Sequence, residues 1–179
     1  MESTGGDDRL TTLAHAAAAG DRVALHEFIS CSQHQVWRFH AHLFSPDLAD
    51  DLTQETYLRA IGSLAKFAGR SSAMTWLMTI ARRTGVDHIR AKSARPQVVS
   101  DQVSGVTPGF AETVALRALL ADLPLDRREA FVLTQLLGYS YAEAAEIAGC
   151  PIGTIRSRVA RAREDLVAAS TGGTAASAM

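Results

Sequence analysis

The chain has 179 residues and a net charge of -1, with 47% hydrophobic and 21% charged side chains, enough to bury a core and to fill one domain or two small ones. No apolar run approaches the roughly 18 to 20 residues of a membrane span. The start, "MESTGGDDRL", is acidic where a signal peptide is basic and then apolar, so a soluble, cytoplasmic protein with a disordered stretch over residues 1–9 is expected.

Cys31 and Cys150 lie far apart without CxxC spacing, which points to neither a disulfide framework nor a zinc site; both are expected to be small buried hydrophobes. Charge is unevenly placed. Residues 1–60 carry four basic and nine acidic side chains, 61–100 seven and one, 101–149 three and seven, and 150–179 four and two. The near-neutral total argues against a nucleic-acid binder, but two basic segments between acidic ones offer a long anionic partner two separate places to touch.

In chain order, Asp21 can cap a long helix whose Leu25, Phe28, Ile29, Val36, Trp37, Phe39 and Leu43 have the spacing of a buried bundle helix. The next, "SPDLADDLTQETYLRAI", opens with Ser45 as N-cap, Pro46 at the first helical position and acids in the first turn. Leu48, Leu52, Tyr57, Leu58 and Ile61 give it one apolar side. After "AKFAGRSS", Ser71 or Ser72 can start a third helix, in which Trp76, Leu77, Ile80, Ala81 and Thr84 share a face; this spacing makes Trp76 a core residue. Basic residues then accumulate to Arg95, and Pro96 stops the helix. From there to Gly109 the composition is that of a flexible linker.

A second helical block runs from 110 to 169, before a tail, 170–179, expected to be disordered. Asp126 with Glu129 has capping-box spacing, Val132, Leu133, Leu136 and Leu137 form an apolar face, and Gly138 ends that helix. Ser140 with Glu143 makes another capping box and starts a short helix, Tyr141 to Ala148, whose Ala144, Ala145 and Ala148 let a neighbour cross closely. Gly149, Cys150 and Pro151 turn the chain into a longer basic helix. Short helix, Gly-containing turn and basic helix form the helix-turn-helix pattern. At about 100° per residue, Ile152, Ile155, Val159, Ala162 and Leu166 face the domain. Thr154, Ser157, Arg158 and Arg161 point outward, Arg156 sits at one edge, and Arg163 falls near the apolar sector. Arginines so placed can enter a major groove and donate paired hydrogen bonds to guanine; the plainer alternative is a solvated basic face. The expected fold class is all-α: two small helical domains, 10–95 and 110–169, joined by a flexible linker, 96–109, the C-terminal one a helix-turn-helix.

With "ADDLTQETYLRAI" and "SSAMTWLMTIARRTGVDHIR" in the first half, and "LPLDRREAFVLTQLLGYSYAEAAEIAGCPIGTIRSRVARARE" in the second, the chain resembles the extracytoplasmic-function (ECF) group of bacterial RNA polymerase sigma factors, of the sigma-70 family. The likeness covers about residues 20 to 168, in order. It implies an alternative sigma factor that binds core RNA polymerase and directs promoter recognition, DNA melting and transcription initiation. Asp50, Asp51, Gln54 and Glu55 would meet the polymerase; on residue type alone they are an ordinary solvated cluster. Lys66, Gly69, Arg70, Ser71, Ser72 and Thr75 would hold an unstacked base of the single-stranded minus-10 element, with Arg82, Arg83, Arg90 and Lys92 following the backbone. Thr154, Arg156, Ser157, Arg158 and Arg161 would contact the duplex minus-35 element, Arg156, Ser157 and Arg161 at base edges and Arg158 at phosphate. An anti-sigma factor is the further partner the resemblance allows for.

A stand-alone helix-turn-helix transcription regulator is the alternative; it would not need the acidic helix followed by a Trp-containing basic one. An enzyme is a third class, since Asp87 and His88 are adjacent, as in the metal pair of all-α phosphohydrolases, with His34, His40 and His42 upstream. These histidines lack ligand spacing and are expected at surface or helix-end positions. No active site, cofactor or metal is expected.

Overall fold

Every regular element among residues 3–93 and 111–175, the part of the chain that the computed structural model describes, is helical. The chain divides into two compact units, Met1–Gln97 and Val98–Met179. The linker expected over 96–109 lies outside the described residues.

The first unit packs four helices: α1 (Ser3–Ala18), α2 (Arg22–Leu43), α3 (Pro46–Ser63) and α4 (Ala73–Ser93), with a 3-10 turn, Leu64–Lys66, after α3. Residues 3–9, within the stretch expected to be disordered, lie in helix α1. Its Ser, Thr, Gly and Asp residues are weak helix formers. What holds it is packing: Leu10 and Ala14, one turn apart, are buried against α2 and α4.

Asp21 caps α2 as expected, its carboxylate accepting the N–H groups of Val23 and Ala24 at 2.8 and 3.0 Å. Phe28, Val36, Phe39 and Leu43 are buried, as the spacing requires. Ser45 is the N-cap of α3, ahead of Pro46, but its hydroxyl makes no capping bond. The apolar side expected for α3 is only partly right. Ala49, Leu52, Thr56, Tyr57 and Ala60 form the buried face, and the small side chains of Ala49, Thr56 and Ala60 let α2 and α4 pack close. Leu58 lies half a turn from Ala49 and is 62% exposed, with Ile61 at 45%.

Two polar pairs are enclosed. The Thr56 hydroxyl donates to the Leu52 carbonyl at 2.7 Å, so the oxygen accepts from His40 Nε2 at 3.0 Å, and His40 carries its proton there. His40 sits in the last turn of α2, the helix-end position expected for the histidines, but it is fully buried there rather than at the surface, and burial pushes its pKa down to about 4. Likewise the Ser32 hydroxyl donates to the Phe28 carbonyl and accepts from the Tyr57 hydroxyl at 2.6 Å; burial pushes that phenol up to about 12, against the Ser32 bond. On α4, a side chain at Gly85 would lie 2.0 Å from the Phe44 ring.

The second unit contains α5 (Ala111–Ala121), α6 (Leu125–Phe131) running into a π-helical turn (Val132–Leu136), α7 (Tyr141–Ala148) and α8 (Ile152–Ala175). Residues 170–175, expected in the tail, are helical. Leu120, Leu123 and Ala162 anchor one core cluster, with Leu116, Phe131, Leu136 and Leu166 packed on it. The Asp126–Glu129 capping box does not form. Pro124 occupies the N-cap, Glu129 is buried, and Asp126 accepts from the Arg127 N–H beside it. Arg128 donates to the carbonyls of Ala121 and Leu123 and so closes the end of α5. Cys31 is exposed and Cys150 half-buried, so neither is the buried hydrophobe expected.

Candidate nucleic-acid and protein interfaces

In the second unit the local sequence sets the helix-turn-helix directly. The Ser140 hydroxyl accepts the Glu143 N–H while the Glu143 carboxylate accepts the Ser140 N–H, which fixes the start of α7. Gly149 ends it in the left-handed region at φ 65°, where a side chain is strained. Ala144 and Ala148 are buried where α7 meets α8.

Ile155, Val159 and Ala162 turn inward from α8, but Ile152 does not and is 40% exposed, because it opens the helix beyond the reach of the core. Arg156, Ser157 and Arg161 stand exposed on the outer face, and Thr154 is half-buried. The Ser157 hydroxyl donates to the Thr154 carbonyl. Arg158, expected to reach outward to phosphate, is folded back: its guanidinium pairs with Asp126 at 3.1 Å and donates to Cys150 Sγ at 3.6 Å. Arg163 donates to Gln135 at 2.7 Å, consistent with its sector near the apolar side. Arg127 clamps Asp165 at 2.7 Å, so α6 holds α8 from two points.

In the first unit, Lys66 ends the 3-10 turn, while Gly69 (φ 62°) and Arg70 stand exposed in the following loop. Ser71 and Ser72 are half-buried. Thr75 is not at the surface. It is 2% exposed, its N–H donates to the Ser72 hydroxyl and its own hydroxyl accepts from Ser72, so both residues start α4. Trp76 is half-buried against Phe67, ring centres 5.1 Å apart. Along α4, Arg83 and Arg90 are two turns apart and share an exposed face, Arg82 is half-buried, and Lys92 lies about half a turn round from Arg83.

The acidic cluster of α3 is divided. Asp50 and Gln54 line a groove of about 540 Å³ with Trp37, Tyr57, Leu58 and Ile61, in which Trp37 Nε1 donates to Asp50 at 2.8 Å. Asp51 and Glu55 line a second groove, of about 600 Å³, facing Asp87 and His88 of α4. Gln54 and Leu58 border both. Arg59 bridges Glu55 and Asp87 at 2.8 Å each, and those two bonds hold its pKa above the ordinary value. Asp87 is thus engaged by an arginine, and among the described residues no three His, Cys, Asp or Glu side chains gather to hold a metal. Among the same residues no helix is long and apolar enough to cross a membrane.

Sequence reasoning missed the exposed Leu58 and Ile61, the Trp37–Asp50 bond and the return of Arg158 to Asp126. For α3 a signal existed, since a stripe through Ala49, Thr56 and Ala60 places Leu58 on the far side; for Arg158 none did.

Comparison with known proteins places these surfaces in context. The family model "Sigma-70 region 2" matches residues 28–95 and "Sigma-70, region 4" matches residues 113–166. The chain is 50% identical to the ECF RNA polymerase sigma factor SigC of Mycobacterium tuberculosis, over 94% of this chain and 95% of that one. It is 40% identical to the ECF RNA polymerase sigma factor EcfG of Rhodopseudomonas palustris, over 68% and 71%. Among solved structures it is similar to the sigma factor RpoE in complex with the anti-sigma factor NepR from Bartonella quintana, at TM-score 0.69 and 32% identity, covering 79% of this chain and 93% of that one. It is also similar to CnrH in complex with the cytosolic domain of CnrY, at TM-score 0.71 and 25% identity, covering 93% and 98%.

Proposed function

The chain belongs to the ECF group of sigma-70 family RNA polymerase sigma factors, and from that premise we propose how its surfaces divide the work. As an alternative sigma factor it binds core RNA polymerase and directs transcription initiation at promoters. The α3 surface, with Asp50, Asp51, Gln54 and Glu55 around the exposed Leu58, meets the polymerase: apolar side chains ringed by polar ones have the make-up of a protein interface. The loop carrying Lys66, Gly69, Arg70, Ser71 and Ser72 receives a base of the minus-10 element, and Arg83 and Arg90, on one face of α4, follow its phosphates, with Arg82 and Lys92 adding positive charge from other sides of the helix. Arg156, Ser157 and Arg161 read the minus-35 element, with Thr154 at the margin and Arg158 a phosphate contact once it leaves Asp126. Residues 10–95 and 110–169 are the working domains, with 96–109 as their linker. The protein works in the cytoplasm, where the polymerase supplies the phosphodiester chemistry and this chain none. Its structural relatives are bound to an anti-sigma factor and to a cytosolic partner domain, which supports an anti-sigma partner here too.

The observation that carries this reading is the presence, in one chain and in order, of an α3 surface built for a protein and a helix-turn-helix built for duplex DNA. Gel filtration with core polymerase tests it. Co-elution is expected, together with weak binding to duplex DNA by the chain alone. Separate elution, with tight duplex binding by the free chain, would point to the stand-alone regulator.

A further inference from the structure

Helix α1 reaches the loop after α3 at three places. The His15 ring lies on Phe67, centres 5.0 Å apart, and Phe67 in turn lies on Trp76, so three rings run from α1 through the loop to α4. One turn earlier on α1, the Thr11 hydroxyl accepts the N–H of Ala73 at 3.1 Å, one of the donors that the start of α4 leaves open. Between these points, Gly69 adopts φ 62°, and a side chain there would come within 2.9 Å of His15 Nε2. Ring and backbone are therefore nearly in contact where the loop turns.

Phe67 is buried and fixed, whereas Gly69 and Arg70 are exposed. A short loop of this kind has little packing of its own, and its shape is set by what it lies against. His15 supplies that surface. It is itself exposed and distant in sequence from the loop, which makes a role in the core an insufficient account of it.

We propose that His15 is a positioning residue for base capture, its imidazole face holding Phe67 and Gly69 so that Arg70, Ser71 and Ser72 present a ready-made cradle. The inference rests on the reading of this loop as the minus-10 contact. A cradle shaped in advance spends no binding energy on ordering itself, and a loosened one does.

The experiment uses the full chain with core polymerase on a promoter carrying 2-aminopurine in the minus-10 element, whose fluorescence rises when the base leaves the stack. His15→Ala should lower the yield of the open state by about tenfold, the loss of a fraction of one stacking contact. Affinity for core polymerase and for minus-35 duplex should be unchanged. His15→Phe, which keeps a flat ring against Phe67, should restore most of the signal, whereas His15→Gln should not. Recovery by His15→Gln as full as by His15→Phe, or an open-state yield unaffected by His15→Ala while Arg70→Ala lowers it, would overturn the positioning role and leave the loop reading intact. An open-state yield indifferent to both His15→Ala and Arg70→Ala would overturn the loop reading and the proposal with it.

Discussion

Arg158 of α8 and Asp126 of α6 form an ion pair 3.1 Å long, which draws back the one arginine of that helix assigned to phosphate. Arg156 and Arg161, assigned to bases, remain exposed. The pair is partly solvated, so holding it is worth little, about 0.2–1 kcal/mol, and phosphate can compete for the guanidinium. Asp126→Asn removes the competitor and a repulsive charge together. It should strengthen binding to minus-35 duplex modestly and steepen the dependence of log K on log salt by about 0.9, one further phosphate neutralised. Titrations at four or five salt concentrations measure that slope; an unchanged value would mean that Arg158 stays with the protein.

Close approach of α4 to the end of α2 depends on Gly85. A methyl group there meets the Phe44 ring at 2.0 Å, and that ring is packed edge-on against Phe39 at 6.4 Å. Gly85→Ala should therefore cost about 1–3 kcal/mol through overpacking, despite the better helix propensity of alanine. Phe44→Leu in the same chain should recover part of it, a coupling that urea unfolding of the four variants measures. Both tryptophans of the chain, Trp37 and Trp76, lie in the first unit, so their fluorescence follows that unit alone.

The buried imidazole of His40 makes the same unit sensitive to acid. Its folded pKa of about 4 lies below the ordinary 6.5. Between those values the unfolded chain binds the proton that the folded one refuses. Stability from this residue is therefore full above about pH 6.5, falls as pH drops through the window, and levels off near pH 4; the whole change is worth up to about 3 kcal/mol. Tryptophan-monitored unfolding at pH 7.5, 6.0 and 4.5 should show this loss. His40→Gln should be less stable at pH 7.5 but flatter with pH, and parallel profiles would assign the acid sensitivity to other groups.

What the sequence discloses is what short-range chemistry decides. Asp21 ahead of Val23, Ser140 paired with Glu143, and Gly149 at the turn each act within a few residues, and each forms as its spacing requires. The inward face of α8 follows from helical angle alone, through Ile155, Val159 and Ala162. The sites are less legible because they depend on partners far along the chain. Asp50 and Asp51 are neighbours in sequence yet open onto different grooves. Thr75 is the local exception: it is buried and bonded to the hydroxyl of Ser72, only three residues before it. Helix α1, weak in propensity, exists through contacts with α2 and α4, and only those contacts bring His15 to Phe67.

The central claim is that this chain selects promoters for RNA polymerase through two elements, the upstream one read by Arg156 and Arg161. Transcription by core polymerase on a random promoter library, with and without the protein, tests it most directly. Added protein should produce start sites that share two separated elements. Arg156→Ala or Arg161→Ala should relax the upstream element by about 1–3 kcal/mol per lost base contact while leaving the downstream one in place. Start sites that do not change when the protein is added would contradict the account, and an upstream preference untouched by both substitutions would contradict its assignment of the reading residues.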